Sequence, residues 1–505
     1  MGVSPMSEYS PPPSGEGKGE GISEADWIAE RLAYLARANL LRSPVEVTSA
    51  QGPTLTVRDA AGVEHRWTNF CSNNYLNLAS DPRIRRATAE AIERWGFGSG
   101  ASRLISGSTS LHRQAERELA DFLGTEDAIL LSTGYQTNVA AITALAGPGD
   151  TVLVDKLDHA SLIDGARQSG ARLRVYPHGD VDRLAELLER ESASSPSPCN
   201  QGEGRGEGSS AKRLFVVTDS LFSMDGDFAP LAEIVALKQR FRFMLIVDEA
   251  HAIGVFGPTG RGVCELLDQS EQSRAQVNME CGGIDTALAC LLAAKAASKP
   301  PHSTKEPIFE RNQLDVSGQV DAILGTCSKS LGGAGGFMAG RKSLIDLLRN
   351  TARPFIFSTA PPAAQAAATI AALKIIREEP ERRARLLDLS AKLRQKLVHA
   401  GIAAPSFSRD PEGSASPGVA NAKFQVPNPK SEIRNPKSQI FPIILGSEAR
   451  ALAAQRALLA RDVFVVAIRP PTVPKGTSRL RISLMCDHTE QDLDRLVAAL
   501  KEICG

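Results

Sequence analysis

The chain has 505 residues, 42% hydrophobic and 23% charged, which is enough apolar material for a substantial core divided among two or more compact units. Lys plus Arg equals Asp plus Glu at 58 each, so no net field draws the molecule to nucleic acid or to an anionic membrane. Eight scattered cysteines form no Cys-x-x-Cys pair, which argues against a disulfide framework or structural zinc, and no apolar run approaches the roughly 20 residues that span a bilayer.

Residues 1–22 are rich in Pro, Gly, Ser and Glu and read as a disordered tail. They hold no basic start followed by an apolar segment, and Met6 stands where myristoylation requires Ser or Thr, so the expected setting is cytoplasmic without an anchor. Helical spacing of apolar residues runs from Trp27 to Leu41, and the runs Thr54–Val57 and Val63–Trp67 flank a turn as an edge hairpin. Between about 95 and 350, short apolar runs at 128–131, 151–154, 214–217, 244–247 and 322–324 alternate with amphipathic helical stretches, the pattern of a mainly parallel sheet covered on both faces. One helix is predicted from a Ser110 cap through Leu111, Ala115, Leu119 and Phe122 to Gly124. Towards the C-terminus, Leu480, Ile482 and Leu484 alternate with Arg479, Arg481 and Ser483 as a strand, and Thr489-x-x-Asp492 opens a last helix. Three polar or low-complexity segments, 191–212, 267–319 and 405–439, are too long for loops of a compact domain and read as surface insertions.

The chemistry concentrates at strand ends. FMLIVDEAH, residues 243–251, is an apolar strand closed by two carboxylates and an imidazole, and open α/β sheets bind ligands at the C-terminal ends of their strands. Asp248 and His251 are candidates on that ground, although a turn-capping Asp248 or a nucleotide-hydrolase strand end has the same appearance. The nucleotide reading lacks its phosphate loop. In GTCSKSLGGAGG, residues 325–336, the lysine precedes the glycines, and GFGSGAS at 96–102 follows a helix without the G-x-G-x-x-G spacing. A buried lysine can instead form a Schiff base with a carbonyl, and a strand-end carboxylate is the partner that a pyridinium nitrogen needs. Lys329, Asp248 and His251 together suggest pyridoxal phosphate, with the turn at 132–135 for the phosphate and His159 as an aromatic face over the ring.

The ordered motifs NFCSNNYLNLASDP, GFGSGASRLISGSTSLH, LSTGYQTN, DHAS, DSLFSMDGDFAPL, VDEAHAIGVFGPTGRG, TCSKSLGGAGG and IRPPTVPKGTSRLRIS run from about Asn69 to Leu500. On these the chain resembles the α-oxoamine synthase family of pyridoxal-phosphate enzymes, of fold type I. The resemblance implies an N-terminal segment 23–94 packing on a small domain, a cofactor-binding large domain 95–350 with a mainly parallel sheet flanked by helices, and a smaller α+β domain 351–505. It implies that Lys329 carries the cofactor and moves the Cα proton, that Asp248 pairs with the pyridine nitrogen, that His251 and Ser223 lie near the ring hydroxyl, and that His159 stacks on the ring. Gly134, Tyr135 and Thr326 would serve the cofactor and its phosphate, and Thr359, with Ser358, would reach the phosphate of a neighbouring subunit in a homodimer with a shared site. Arg469 would hold the amino-acid carboxylate, with Thr472 beside the substrate and Arg42 on the acyl substrate.

The implied reaction joins L-alanine to a pimeloyl thioester, carried by coenzyme A or acyl carrier protein, with decarboxylation, in biotin synthesis. Other amino acids and acyl groups, as in glycine C-acetyltransferase, 5-aminolevulinate synthase or serine palmitoyltransferase, use the same machinery. A cofactor-fold interaction module without catalysis is the reading from a different class. Two departures from the family pattern stand out: the insertion between Asp248 and Lys329, which must loop out for the site to form, and Asn77, where glycine is common.

Overall fold

The computed structural model describes residues 24–59, 61–193, 212–268, 315–402 and 438–504. The tail 1–22 and the greater part of the three expected insertions lie outside the described residues. Strands β1 (Glu46–Val47), β2 (Thr54–Arg58) and β3 (Glu64–Asn69) come first. Then follow β4 (Asp127–Leu131), β5 (Thr151–Asp155), β6 (Arg172–Tyr176), β7 (Leu214–Asp219), β8 (Met244–Asp248), β9 (Ala322–Thr326) and β10 (Gly336–Gly340). The last four are β11 (Ile440–Gly446), β12 (Val463–Phe464), β13 (Val466–Ile468) and β14 (Ser478–Ser483).

The chain divides into two compact units, one of residues 73–223 and 227–386, the other of residues 1–72, 224–226 and 387–505. The boundaries differ from the expected 95 and 350 because the helix Pro82–Trp95 packs with the alanine-rich helix Ala363–Glu378, where Ala91, Ala364 and Ala367 bury against Trp95 and Leu111. Alanines let two helices approach closely, so both flanking helices join the larger unit.

That larger unit is a seven-stranded sheet in the order β4-β10-β9-β8-β7-β5-β6. Six of the strands run in one direction, five of them paired in parallel, and β10 alone runs antiparallel, between β4 and β9. Strands β5, β7, β9 and β10 are buried along their whole length, as expected where helices cover both faces. Ile129, Val152, Val154, Phe215, Val217 and Ile246 pack with Ala141, Ile142, Leu162 and Leu348 of the covering helices, and each such large side chain contributes about 1.5–3 kcal/mol. The helix Ser110–Leu123 is capped by Thr109 rather than Ser110: the Thr109 N–H donates to Nδ1 of His112, 3.1 Å away, and Gly124 ends the helix in a left-handed conformation. Asp268 Oδ1 accepts from the N–H groups of Val316 and Ser317 at 2.7 and 3.0 Å, so the chain leaves and returns at one point 48 positions apart, and β8 pairs directly with β9.

The smaller unit holds two sheets, β1-β2-β3-β12 and β11-β14-β13, with helices Glu448–Leu459 and Glu490–Cys504. The expected hairpin is β2–β3, and the first helix spans Glu24–Arg37, stopping before Asn39 at φ 56°. Thr489 and Asp492 close the reciprocal cap, with Asp492 Oδ2 accepting from the Thr489 N–H at 2.9 Å and Thr489 Oγ1 accepting from the Asp492 N–H at 3.2 Å. The alternation along β14 does not expose its arginines. Arg479 pairs with Asp225 at 2.6 Å and Arg481 donates to Ser483 Oγ at 2.9 Å, so both faces of the strand are buried.

His488 in this unit stacks on Phe70, accepts from the Met485 N–H at Nδ1 and donates from Nε2 to the Asn69 carbonyl, 2.9 Å away. Burial holds its pKa down to about 4. The unfolded chain therefore binds more protons between pH 6.5 and about 4, and the stability present above 6.5 falls by about 3 kcal/mol through that window. Denaturant midpoints measured across it should fall more steeply for the wild type than for His488→Gln.

Candidate active site

The carboxyl ends of β5, β7, β8 and β9 lie side by side, with Asp219 in register with Asp248 and Asp248 with Leu324. Each strand stays apolar until it reaches this edge and then turns polar: Asp155 to His159 after β5, Asp219 to Ser223 after β7, Asp248 to His251 after β8, Thr326 to Lys329 after β9. The fold alone thus gathers the residues that the sequence scatters. Lys329 is half-buried, less so than a core lysine, because it stands on the turn beyond the strand. That turn presses on the 73–79 segment. Gly332, at φ +65°, sits so close that a Cβ would meet the Leu78 carbonyl carbon and Ala79 nitrogen at 2.5 Å. In that segment Asn77 adopts φ 52°, the left-handed conformation that asparagine tolerates.

Asp248 is buried and both its oxygens are occupied. Oδ1 accepts from the Ala250 N–H at 2.9 Å and Oδ2 from Asn138 Nδ2 at 2.7 Å. Asn138 also donates to Ser161 Oγ at 2.9 Å, and Ser161 Oγ lies 2.6 Å from His159 Nδ1. Burial lowers the pKa of His159; Asp248 opposes this and the nearby charge of Lys329 adds to it. Behind the ring, the backbone N–H of His159 donates to Asp219 Oδ2 at 2.7 Å, and the backbone N–H of Asp219 donates to Asp158 at 2.9 Å. Burial pushes Asp219 well above the ordinary carboxylate range, and the charge of Asp248 pushes the same way. Asp158 is raised for the same first reason, with Asp155 and Asp219 adding to it.

His251 Nδ1 lies 2.7 Å from Tyr75 Oη, which also reaches Asn73 Oδ1 at 3.1 Å. Ser223 is buried in the loop after β7. His178 braces the feet of this loop: Nδ1 lies 3.0 Å from Asp155, Nε2 lies 2.7 Å from Asp227, and its ring meets Phe222 edge-on at 4.5 Å. Burial alone would lower the pKa of His178, but Asp155 and Asp227 raise it to about 10.

The helix Gly134–Leu145 starts at the same edge, where Thr133 Oγ1 accepts from the Gln136 N–H at 3.1 Å. The Gly134 and Tyr135 amides are among those that a helix start cannot pair internally. A Cβ on Gly134 would come within 3.3 Å of Thr326 Cβ and Oγ1, which puts the helix start against the end of β9. Thr326 Oγ1 is 2.8 Å from the Gly335 carbonyl and 2.7 Å from Ser328 Oγ, and Tyr135 Oη donates to Asp164 at 2.5 Å. Thr359 is exposed and bridges to Ser102, and Phe97, Leu104, Ile105 and Phe357, near these two residues in sequence, are exposed apolar side chains.

Arg469, Arg42 and Thr472 belong to the smaller unit. Arg469 is buried and donates to the carbonyls of Asn39 and Leu41, while its buried Nε has no partner among the described residues. Burial, then the charge of Arg42, lowers its pKa. Arg42 donates in turn to the Pro470 carbonyl at 2.9 Å, and Thr472 is exposed.

Sequence reasoning missed Asn138, Ser161, Asp219 and His178. Asn138 stands four positions after Gly134, on the same face of the helix, which is the one local signal for it. A cleft at the opposite end of β7 and β8, lined by Lys212, Arg213, Lys238 and Phe241, contains none of the candidate residues. Its cations are already committed, Lys212 to Glu191, Arg213 to Asp150 and Lys238 to Asp321. Among the described residues no cluster of metal-binding side chains occurs, and no helix is long and apolar enough to cross a membrane.

The family model for aminotransferase class I and II matches residues 65–409 and 420–500. A protein of Anaeromyxobacter dehalogenans named 8-amino-7-oxononanoate synthase is 39% identical over 478 residues, 95% of this chain and 95% of its own. One of the same name from Geobacter sulfurreducens is 37% identical over 479 residues, 94% of this chain and 97% of its own. Among solved structures, Sphingomonas wittichii serine palmitoyltransferase matches with a TM-score of 0.71 and 27% identity, across 96% of this chain and 98% of that one.

Proposed function

The chain belongs to the aminotransferase class I and II family, and we propose that it condenses L-alanine with a pimeloyl thioester, releasing carbon dioxide and the carrier thiol, to form 8-amino-7-oxononanoate for biotin. The observation that carries the chemistry is Lys329 beyond the end of β9, at the sheet edge where Asp219 and Asp248 end the neighbouring strands. The substrates follow from relatives alike along nearly the whole of both chains.

The residues present fit pyridoxal phosphate. A carboxylate has about four lone-pair sites, and Asp248 has one N–H on each oxygen, which leaves capacity for a pyridinium N–H. Lys329 is the amine for the carbonyl group, His159 the flat neighbour for the ring, and the Gly134 and Tyr135 amides the donors for the phosphate, with Thr326 at the same helix start. His251 and Ser223 serve the ring hydroxyl. When bound, the cofactor supplies an electron sink for the charge that develops at the amino-acid Cα. Lys329 Nζ takes the Cα proton and returns one after decarboxylation. Asp248 keeps a proton on the ring nitrogen by remaining an acceptor. Arg469 holds the amino-acid carboxylate, with Thr472 beside it, and Arg42 meets the acyl substrate; the Arg469 Nε, without a partner among the described residues, supports this reading.

Replacing Arg469 by Ala should raise KM for L-alanine roughly 100-fold, the loss of two charge-assisted hydrogen bonds. Arg469→Lys should recover only part of that, because a point charge lacks the fork. Steady-state kinetics check both.

The same reading makes the protein a cytoplasmic homodimer in which Phe97, Leu104, Ile105 and Phe357 are covered by a second copy and Thr359 reaches the neighbouring phosphate. Light scattering should give twice the chain mass, and a monomer at micromolar concentration would remove this part.

The structural likeness to serine palmitoyltransferase favours one other substrate pair, L-serine with a long acyl thioester. Titrating the pyridoxal-phosphate-loaded protein with L-alanine, glycine and L-serine while recording the visible spectrum separates the two. The largest response at the lowest concentration is expected from L-alanine. A preference for L-serine or glycine transfers the assignment to another α-oxoamine synthase.

A further inference from the structure

We propose that Asn138 and Ser161 are positioning residues that decide which ring nitrogen of His159 carries its proton, in an order imposed by the Asp248 carboxylate. The argument is one of hydrogen-bond direction. A carboxylate only accepts, so the Asn138 group 2.7 Å from Asp248 Oδ2 is the Nδ2 amide. The second hydrogen of that nitrogen reaches Ser161 Oγ at 2.9 Å, so the serine oxygen is an acceptor there. Its own O–H is left for His159 Nδ1 at 2.6 Å. The Ser161 backbone N–H also donates to Nδ1, at 3.3 Å.

Nδ1 of His159 thus faces two donors and bears no proton, and the neutral ring holds its proton on Nε2. Three separate elements build this relay: the end of β8, the helix Gly134–Leu145 and the helix Ala160–Gln168. Asn138 and Ser161 are both buried, so water does not compete for these bonds. The lowered pKa of His159, from burial and then Lys329 against the pull of Asp248, agrees with a neutral ring. The imidazole therefore offers a hydrogen-bond donor at Nε2 and is closed as a base at Nδ1. The use of that donor in turnover rests on the reading that His159 faces the cofactor; the position of the proton does not.

The test is a long-range proton–nitrogen correlation spectrum of the pyridoxal-phosphate-loaded protein labelled with 15N-histidine, with His159 assigned by its loss in His159→Asn. The wild type should show a proton on Nε2 alone, a result that needs no altered protein. Ser161→Ala and Asn138→Ala should each populate the Nδ1-protonated form and lower kcat roughly tenfold, and Ser161→Thr should restore both. A proton on Nδ1 in the wild type, or an unchanged ring pattern in both alanine variants, overturns the proposal. A wild-type Nε2–H ring in a protein that makes no product from L-alanine and a pimeloyl thioester leaves the relay standing and removes only the substrate reading.

Discussion

Lys329→Ala is expected to abolish turnover and to remove the visible absorbance that the wild-type protein should gain on adding pyridoxal phosphate. Loss of a general base alone costs about 10²–10⁴-fold in rate, and this substitution also removes the amine that captures the cofactor, so a fall of roughly 10⁴-fold or more is expected. The fold should survive. Lys329 is half-buried on a turn, and the bonds that shape the turn, from the Gly332 N–H to the Lys329 carbonyl at 3.0 Å and the Gly333 N–H to the Cys327 carbonyl at 2.8 Å, are made by backbone. An unchanged thermal melt beside a lost band separates chemistry from folding. Added primary amines should restore a measurable part of the rate.

The second large effect is expected from Asp248→Asn. Shape is conserved, but the acceptor for a pyridinium is lost, and the new amide meets Asn138 Nδ2 at a position where a carboxylate oxygen accepts at 2.7 Å. The amide keeps only one acceptor oxygen: turned to Asn138 it sets its NH2 against the Ala250 N–H, and turned to Ala250 it sets its NH2 against Asn138 and disturbs the order running through Ser161 to His159. Removing one partner of a buried charge pair costs about 3–5 kcal/mol, equivalent to roughly 150- to 5,000-fold. Cofactor affinity and kcat should both fall, and fluorescence titration with pyridoxal phosphate beside steady-state kinetics reads the two separately. A variant within twofold of wild type on both would remove Asp248 from the site.

The strands that matter most were legible because burial on two faces writes itself as unbroken apolar runs: TVLVD, LFVVTD and MLIVD each end in the carboxylate that marks the sheet edge. Strand β6, RLRVY, was missed because it is a half-exposed edge strand with arginines in alternate positions. Strand β10, GFMAG, was missed because glycines bracket it and it runs antiparallel, closing the sheet between β4 and β9. The alternation at 479–484 was legible as a strand, but not the burial of its arginines, which comes with the distant partner Asp225 for Arg479 and a local bond to Ser483 for Arg481. At the site, Lys329, Asp248, His251 and His159 follow strands and carry their chemistry on their faces. Asn138 and Ser161 do not. A mid-helix asparagine and a first-turn serine are ordinary residues until the fold places them 2.9 Å apart between a carboxylate and an imidazole.

The most direct measurement is product analysis by mass spectrometry after incubating the pyridoxal-phosphate-loaded protein with L-alanine and a pimeloyl thioester, with Lys329→Ala as the control. The account predicts 8-amino-7-oxononanoate and one free thiol per product, formed by the wild type alone. Product formed only from L-serine or glycine with another acyl thioester, or no lysine-dependent product from any pair, would contradict it.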